Sequence, residues 1–345
     1  MKRFLYTIVL VLFTIVLNWL IFEAMPGLSG QLYNVLGNRS SLTDPDKLQK
    51  QLALYGLDKP VWVQFVDYVK AMLTFNFGYS YHDAQPISSA IITSGRLVNT
   101  LELIGTSTVM SIIIGILLGI LVSSKRGSST DSFFVSASLT SFSLPTFFMG
   151  TMLIFIFADV LNWFPASGVA PYTFTNPSTA PAWWLQIPGR LQFLFLPALT
   201  LTLFTYGGFL LLTRATMIET LNEDYITTAR AKGLSGRAIL TRHAFKNASL
   251  PLVTATALQF GGILGGAIIT ETLFNWAGLG RWLFDSVVYK DFPVMQAMFY
   301  IIALCVIGAN FISDVIYGII DPRIRYEEAG RYIRFCGLEA ISAFS

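Results

Sequence analysis

The chain has 345 residues, of which 54% are hydrophobic and only 12% are charged. A soluble domain carries about 25% charged residues, so this chain lacks the charge needed to cover a soluble surface. A mean hydropathy of +0.60 and a net charge of only +3 exclude a disordered chain, a nucleic-acid-binding domain and an ordinary cytosolic enzyme. The composition is that of a membrane protein.

Six stretches are long and apolar enough to cross a bilayer, which takes about 20 residues of helix. They are Phe4–Phe22, Leu103–Val122, Phe133–Phe157, Phe193–Thr213, Leu252–Thr270 and Met298–Tyr317. The first follows a basic start, as the apolar core of a signal peptide does. Its apolar run is longer than a signal core, and only a weak cleavage context follows it. We therefore interpret residues 1–23 as a retained transmembrane helix.

The distribution of lysine and arginine predicts the orientation, because these residues collect on the cytoplasmic side of the membrane. With a cytoplasmic N-terminus, the inner segments hold 14 of the 23 basic residues, although the outer segments are longer in total. An even number of spans returns the C-terminus to the same side. We expect a multi-pass protein of the cell membrane with both termini cytoplasmic, and residues 321–345 form a cytoplasmic tail.

The outer segments differ in length. Residues 24–100 include an amphipathic stretch, Val61–Leu73, and are long enough to form a small extracytoplasmic subdomain rather than a simple hairpin. Residues 101–320 then form a core of five spans. Within this core, the outer segment Glu271–Gln296 is compact and contains Gly278, Gly280 and Trp282.

Residues 214–251 form the one long inner loop between spans. Asn222-Glu223-Asp224 predicts a helix start, because acidic residues favour the positive end of the helix dipole. Gly233 predicts the end of this helix as a C-cap glycine, and a second helical stretch, Gly236–Ala248, leads to the fifth span. A short cytoplasmic helix of this kind has the shape of a docking surface for a partner. The alternative is a basic loop that only fixes the topology.

Several short motifs of the chain resemble those of one transporter family. In the inner loop, Thr227-Thr228-Ala229 followed by Gly233 has the spacing of the EAA–x3–G loop of ABC-importer permeases. Further matches are Asn99–Leu103, Trp163–Gly168, Glu271–Phe274, Gly278–Arg281, Asp291–Pro293 and Asp321–Arg325. Over roughly residues 1–326, the chain resembles the first permease subunit of importers of the dipeptide, oligopeptide and nickel class.

The resemblance implies an all-α polytopic membrane protein with six transmembrane helices, in the type I (MetI-like) ABC permease architecture. It also implies that this chain is not an enzyme. A second homologous permease completes a heterodimeric pore, and two ABC ATPase subunits bind ATP and Mg²⁺. An extracytoplasmic binding protein delivers peptides or related solutes. The sequence contains no GxxxxGK[ST] loop, which agrees with a subunit that leaves ATP binding to a partner.

The resemblance further implies that the short inner helix docks into the ATPase and couples its closure to the spans. The predicted contact residues are Tyr225, Thr227, Thr228, Ala229, Ala231, Lys232, Gly233, Leu234 and Gly236. Thr227 and Thr228 stand where the consensus has Glu and Ala. This departure leaves the docking role in place but argues against a salt bridge from the consensus glutamate.

Polar and small residues inside the spans suggest two roles. Ser107, Thr108, Ser111, Ser141 and Ser143 are candidates for lining the translocation pathway, and the alternative is that they serve helix packing. The small-residue pairs predict close helix contacts. These pairs are Gly115-x3-Gly119, Gly261-x3-Gly265 and Gly262-x3-Gly266.

Acidic residues near the spans are few. Glu102, Asp159 and Glu271 lie at outer ends of spans, where they are functional candidates or simply solvated, and Asp314 is placed to pair with a nearby Arg or Lys. The sequence contains no metal-ligand motif and no chain of acids deep in the spans. An ion-coupled secondary transporter acting without an ATPase, the alternative function, needs coupling-ion residues and often an inverted repeat, and neither is found. A membrane-embedded protease needs a catalytic motif such as HExxH or GxSxG, and neither occurs.

Overall fold

The computed structural model describes residues 2–24, 58–83, 85–171, 174 and 183–320. The predictions for the remainder of the segment 24–100 and for the tail 321–345 lie outside the described residues. The helices are α1 (Lys2–Trp19), α2 (Val61–Leu73), α3 (Ile87–Thr93), α4 (Arg96–Ser124), α5 (Ser129–Ser143), α6 (Thr146–Leu153), α7 (Trp183–Leu221), α8 (Asp224–Ala231), α9 (Gly236–Ala238), α10 (Phe245–Leu273), α11 (Leu279–Tyr289) and α12 (Phe292–Ile320). Short π-helical turns extend α1 over Leu20–Ala24 and α6 over Ile154–Val160, and a third, Ile239–Ala244, joins α9 to α10.

The described helices follow the predicted apolar stretches. Four of them are long and apolar enough to cross a membrane, namely Phe4–Ala24, Arg96–Ser124, Leu185–Leu221 and Phe292–Ile312, and a bent helix pair qualifies as a fifth span. The remaining predicted stretch, Leu252–Thr270, lies inside α10, whose 29 residues extend about 43 Å at the α-helical rise. The mostly helical membrane fold is confirmed, and the count of six spans stays a prediction.

The third predicted span is not one straight helix. The sequence predicts a continuous span over Phe133–Phe157, whereas Ser129–Ser143 and Thr146–Val160 meet at an angle of 105°. Pro145 lies at the break with φ −59° and ψ 137°. Proline has no amide hydrogen and disfavours helical geometry in the residue before it, so the helix ends at Ser143 and a new one begins after the proline.

The chain forms two compact units, of which the first comprises Met1–Ser111, Thr140–Thr205 and Gly262–Ile307. Its largest apolar core brings α2 and α3 together with α1, α11 and α12. Edge-to-face packing of Trp19 and Phe65, with ring centroids 5.0 Å apart, joins α1 to α2. The described part of the outer segment therefore shares a core with spans, and a separately folded subdomain stays a prediction.

The second unit comprises Ile112–Leu139, Tyr206–Gly261 and Gly308–Ser345. Here α4 and α7 approach closely through glycine, since a Cβ built on Gly115 falls 2.4 Å from Cβ of Phe209 and one on Gly119 falls 2.5 Å from Cβ of Thr213. The predicted packing role of this glycine pair is confirmed. The side chains of residues 257–266, which include the other two glycine pairs, lie outside the description.

Candidate functional site

The short inner helix α8 is held to the spans by two apolar side chains. Ile226 and Ala229, three residues apart, lie on one face of the helix and are buried. They join a cluster with Met217 of α7 and with residues of the segment that leads into α10, which are Ile239, Ala244 and Ala248. Because both neighbours are long helices, α8 is seated on the end of α7 and on the segment that leads into α10.

The helix ends in a Schellman motif. Gly233 has φ +77°, its amide donates to the carbonyl of Arg230 (2.9 Å), and the amide of Leu234 donates to the carbonyl of Ala229 (3.3 Å). These two bonds satisfy carbonyl groups that a helix end otherwise leaves unpaired. The predicted start at Asp224 and the predicted stop at Gly233 are both confirmed.

The chain then turns directly into the next helix. The Ser235 hydroxyl accepts a hydrogen bond from the amide of Ala238 (3.4 Å) and caps the new helix, as serine does at N-cap positions. The amide side chain of Asn247 donates to the hydroxyl of Tyr225 (2.7 Å). The start of α8 is therefore tied to α10 by a hydrogen bond in addition to the apolar contacts.

Eight of the nine predicted contact residues are exposed, and one is not. The exposed ones are Tyr225, Thr227, Thr228, Ala231, Lys232, Gly233, Leu234 and Gly236. The buried one is Ala229, which packs inside the protein and so supports α8 instead of offering surface to a partner. Ile226 has the same supporting role and was not predicted, although its spacing of three from Ala229 marks the same helix face.

An ion pair anchors the end of α7 that precedes the loop. Both Nε and Nη2 of Arg214 donate to the carboxylate of Asp131, at 2.7 and 2.8 Å. The same carboxylate accepts the amide of Gly127 (2.9 Å) and is buried at the first turn of α5. This pair was not predicted from the sequence, although an aspartate in the first turn of a helix is a recognisable signal.

The candidate pathway residues of the second span are fully buried, and Ser107 and Ser111 are bonded between helices, whereas the hydroxyl of Thr108 has no hydrogen-bond partner among the described residues. The hydroxyl of Ser111 lies 2.5 Å from that of Thr205, and Thr202 donates to the carbonyl of Ser107 (3.3 Å). These contacts between α4 and α7 are the packing role of serine and threonine in membrane helices.

The other two candidates lie near the bend at Pro145. The Ser141 hydroxyl donates to the carbonyl of Leu203, again between helices, whereas Ser143 is exposed. None of the candidates is shown to line a pathway, and that assignment stays a prediction.

Glu271 is not solvated, contrary to one expectation from the sequence. It is fully buried, and its carboxylate accepts the hydroxyl of Thr100 (2.7 Å) and the amide of Arg281 (2.9 Å). A Cβ on Gly278 would lie 2.4 Å from this carboxylate, which explains a glycine there. Glu271 thus caps the N-terminus of α11, where a negative charge is favourable.

The motif Asn99–Leu103 contacts the end of α10 and the loop after it, first through the bond between Thr100 and Glu271 and then through Asn99. Asn99 donates to the carbonyl of Ala277 (2.8 Å) and accepts from Arg190 (2.9 Å), while Trp276 donates to the carbonyl of Asn99 (2.9 Å). Of the remaining acids, Glu102 pairs with Arg190 at 2.7 Å. Asp159 is exposed, as expected, and the side chain of Asp314 lies outside the description.

Comparison with known proteins identifies the family. Residues 111–326 match the binding-protein-dependent transport system inner membrane component. The chain belongs to this family. The matched residues of this transport-system component include α8 and its Schellman motif, so the resemblance drawn from the EAA-like loop is confirmed.

Individual relatives extend the match beyond that region. The chain is 36% identical to the dipeptide transport system permease protein DppB of Escherichia coli (strain K12) over 296 residues. These aligned residues are 82% of this chain and 87% of the relative. It is 36% identical over 296 residues, with the same coverage, to the di/tripeptide transport system permease protein DppB of Pseudomonas aeruginosa (strain UCBPP-PA14). It is 33% identical over 326 residues, or 94% of this chain and 98% of the relative, to the oligopeptide transport system permease protein AppB of Bacillus subtilis (strain 168). The chain is therefore a transport-system permease, not a transporter of an unrelated class.

Proposed function

We propose that the chain is the permease subunit of an ATP-driven importer and forms, with a second homologous permease, a translocation pathway for peptides or related solutes. Peptides are the solutes because the relatives in three organisms carry dipeptide, di/tripeptide and oligopeptide in their names. An extracytoplasmic binding protein delivers the solute, and two ABC ATPase subunits bind ATP and Mg²⁺. Both termini of the chain are cytoplasmic.

The observation that carries this proposal is the seating of α8. We define the docking face as its exposed neutral side chains together with the leucine of the Schellman turn: Tyr225, Thr227, Thr228, Ala231 and Leu234. The opposite face is buried against α7 and the approach to α10. A short, firmly seated helix that presents an exposed face suits insertion into a complementary cleft, which must also pair the exposed charges of Asp224, Arg230 and Lys232 beside that face.

This seating provides a mechanical link. Met217 contacts α8 from the end of α7, and Asn247 bonds Tyr225 from the start of α10. Close-packed interiors transmit displacement instead of absorbing it, so an ATPase that moves the docking face moves the cytoplasmic ends of both helices. ATP hydrolysis in the partner is thereby converted into a rigid-body rearrangement of the permease.

The proposal is tested by reconstituting the permease with its partner subunits in proteoliposomes. We expect uptake of a radiolabelled dipeptide that requires ATP and the binding protein. Thr228→Arg places a bulky charge on the docking face and should abolish both ATPase co-purification and uptake. Thr241→Arg is the matched control, since Thr241 is exposed but lies outside that face.

Two results contradict the proposal. One is dipeptide uptake that persists without ATP or without any ATPase subunit. The other is an equal loss of ATPase binding in the Thr228 and Thr241 variants, which assigns the effect to general damage of the loop. Retained ATPase binding with transport of a different solute class overturns the peptide assignment alone.

A further inference from the structure

Helix α2 carries an apolar stripe that faces away from the protein. Trp62, Val66, Val69 and Leu73 recur at the spacing of one helix face. Three of these side chains are exposed: Trp62 is 71% exposed, Val66 55% and Leu73 53%. The fourth, Val69, packs at the edge of the core, so the exposed stripe consists of Trp62, Val66 and Leu73. Removing side chains of this size from water is worth about 1.5–3 kcal/mol each, so an apolar cover for the stripe is strongly favoured.

The stripe is not needed to hold α2 in place. Tyr68 and Met72 on another side of the helix are buried, and Phe65 packs edge-on against Trp19 of α1. The helix is therefore docked on the first span by its inner face. The exposed stripe is left for something outside the described part of the chain.

The surface next to the stripe is also apolar and exposed. Helix α1 buries only 11% of its most apolar window, and it exposes large apolar side chains along its length, including Phe13, Leu20 and Ile21. The last two follow directly on Trp19, the residue against which Phe65 packs. The exposed apolar surface of this predicted span thus continues, at its outer end in the predicted orientation, onto α2.

The polar residues of α2 flank the stripe in the arrangement of an interfacial helix. Lys70 is exposed beside Val66 and Leu73 on the helical wheel, and Asp67, farther round, forms an ion pair with Lys59 (2.6 Å). A helix with tryptophan on its apolar face and lysine beside it is typical of the headgroup–acyl boundary of a bilayer.

We propose that α2 lies in the outer membrane interface with the stripe Trp62, Val66 and Leu73 inserted into lipid. The partner is the bilayer surface itself, and the contacts of the stripe are with acyl chains and not with a particular headgroup. This arrangement anchors the described part of the outer segment to the membrane. The inference rests on the packing of α2 alone and is independent of the transported solute and of the ATPase.

The test is spin-label accessibility in the full chain, reconstituted in lipid nanodiscs with Cys305 and Cys336 replaced by serine. Nitroxides are placed by Trp62→Cys and Val66→Cys, with Asp67→Cys as the matched control on the polar side of the same helix. We expect labels on the stripe to collide with oxygen severalfold more than with nickel–EDDA. The label at position 67 should show the reverse preference.

Two outcomes overturn the inference. Nickel access at positions 62 and 66 equal to that at 67 places the stripe in water. Low access to both reagents places it against protein, either another part of this chain or a second copy. Gel filtration of each labelled protein excludes misfolded samples, and Leu73→Cys replaces any variant that is not monodisperse.

Discussion

At the scale of single residues, the backbone of Gly233 meets two requirements at once, a left-handed φ and an amide that donates a hydrogen bond. Its φ of +77° lies in the left-handed region, which costs an L-residue about 1–2 kcal/mol. Its amide also donates to the carbonyl of Arg230. No other atom lies near its missing side chain, so the constraint comes from the backbone and not from crowding.

Gly233→Pro is therefore expected to abolish ATP-dependent uptake while leaving membrane insertion intact. Proline fixes φ near −65° and lacks the amide hydrogen, so it can provide neither the left-handed φ nor the hydrogen bond of the turn. The matched control is Gly233→Asn, because asparagine keeps the backbone amide and is the non-glycine residue that most readily adopts a left-handed φ. Uptake assays and membrane immunoblots of both variants check this. Equal activity of the two variants contradicts the role assigned to the turn.

Replacing the buried Glu271 by glutamine is expected to destabilise the protein. Glu271→Gln replaces one carboxylate oxygen by a donor, which then opposes either the Thr100 hydroxyl or the Arg281 amide. Leaving a buried group unsatisfied costs about 1–3 kcal/mol, so the thermal unfolding temperature in detergent should fall by several degrees. The control Asp159→Asn changes an exposed acid and should leave that temperature unchanged. A stable Glu271 variant would show that the cap is dispensable.

At the scale of elements, the contact between α4 and α7 shows why the position of a glycine matters more than its presence. Gly105 and Gly119 belong to the same helix. A Cβ on Gly105 meets no atom within 4 Å, whereas one on Gly119 falls 2.5 Å from Cβ of Thr213 and 2.9 Å from the carbonyl oxygen of Leu210. Only the second glycine is required by packing.

The two alanine variants should consequently have opposite signs. Gly105→Ala removes chain entropy from a helix interior and should stabilise by about 0.5–1 kcal/mol. Gly119→Ala forces the helices apart and should destabilise by about 1–3 kcal/mol, the usual cost of overpacking. Thermal unfolding of the purified variants measures both. Two shifts of the same sign would show that helix propensity, and not interhelical contact, dominates at Gly119.

Local signals predicted some elements well. The amphipathic stretch Val61–Leu73 is helix α2, and α8 begins at Asp224 and ends before Gly233. Both could be predicted because helix caps and hydrophobic periodicity depend on residues that are only a few positions apart in the chain. The bend at Pro145 was missed. Proline is tolerated inside other helices of this chain, as Pro188 and Pro197 in α7 show, so its effect depends on what packs around it.

At the scale of the whole molecule, long-range polar contacts tie the described outer segment to the last span. The buried carboxylate of Asp291 accepts the hydroxyl of Ser80 (2.5 Å) and the amides of Tyr81 (3.1 Å) and His82 (3.2 Å). The bonded groups are about 210 residues apart in sequence. One carboxylate therefore organises a turn that belongs to a distant part of the chain.

Asp291→Asn should loosen that turn without unfolding the spans. The asparagine amide keeps one acceptor oxygen, but its nitrogen cannot accept hydrogen bonds from the amides or the hydroxyl. Hydrogen exchange of residues 79–83 is expected to accelerate, while exchange within α12 stays slow. Asp285→Asn is the control, because Asp285 is partly exposed and forms only a long ion pair, 3.7 Å, with Arg281. Unchanged exchange in the Asp291 variant would contradict the assignment.

The sequence by itself determined the membrane environment, the positions of the apolar helices and the short inner helix with its glycine stop. These features depend on composition, on periodicity and on contacts between near neighbours in the chain. Only the tertiary structure decided which side chain of a motif faces outward and which is buried. Ala229 is buried because the neighbouring elements α7 and the segment leading into α10 fold back on α8. Glu271 is buried against Thr100, and Ser107 and Ser111 lie against α7, in contacts between segments about 90 to 170 residues apart that no local pattern encodes.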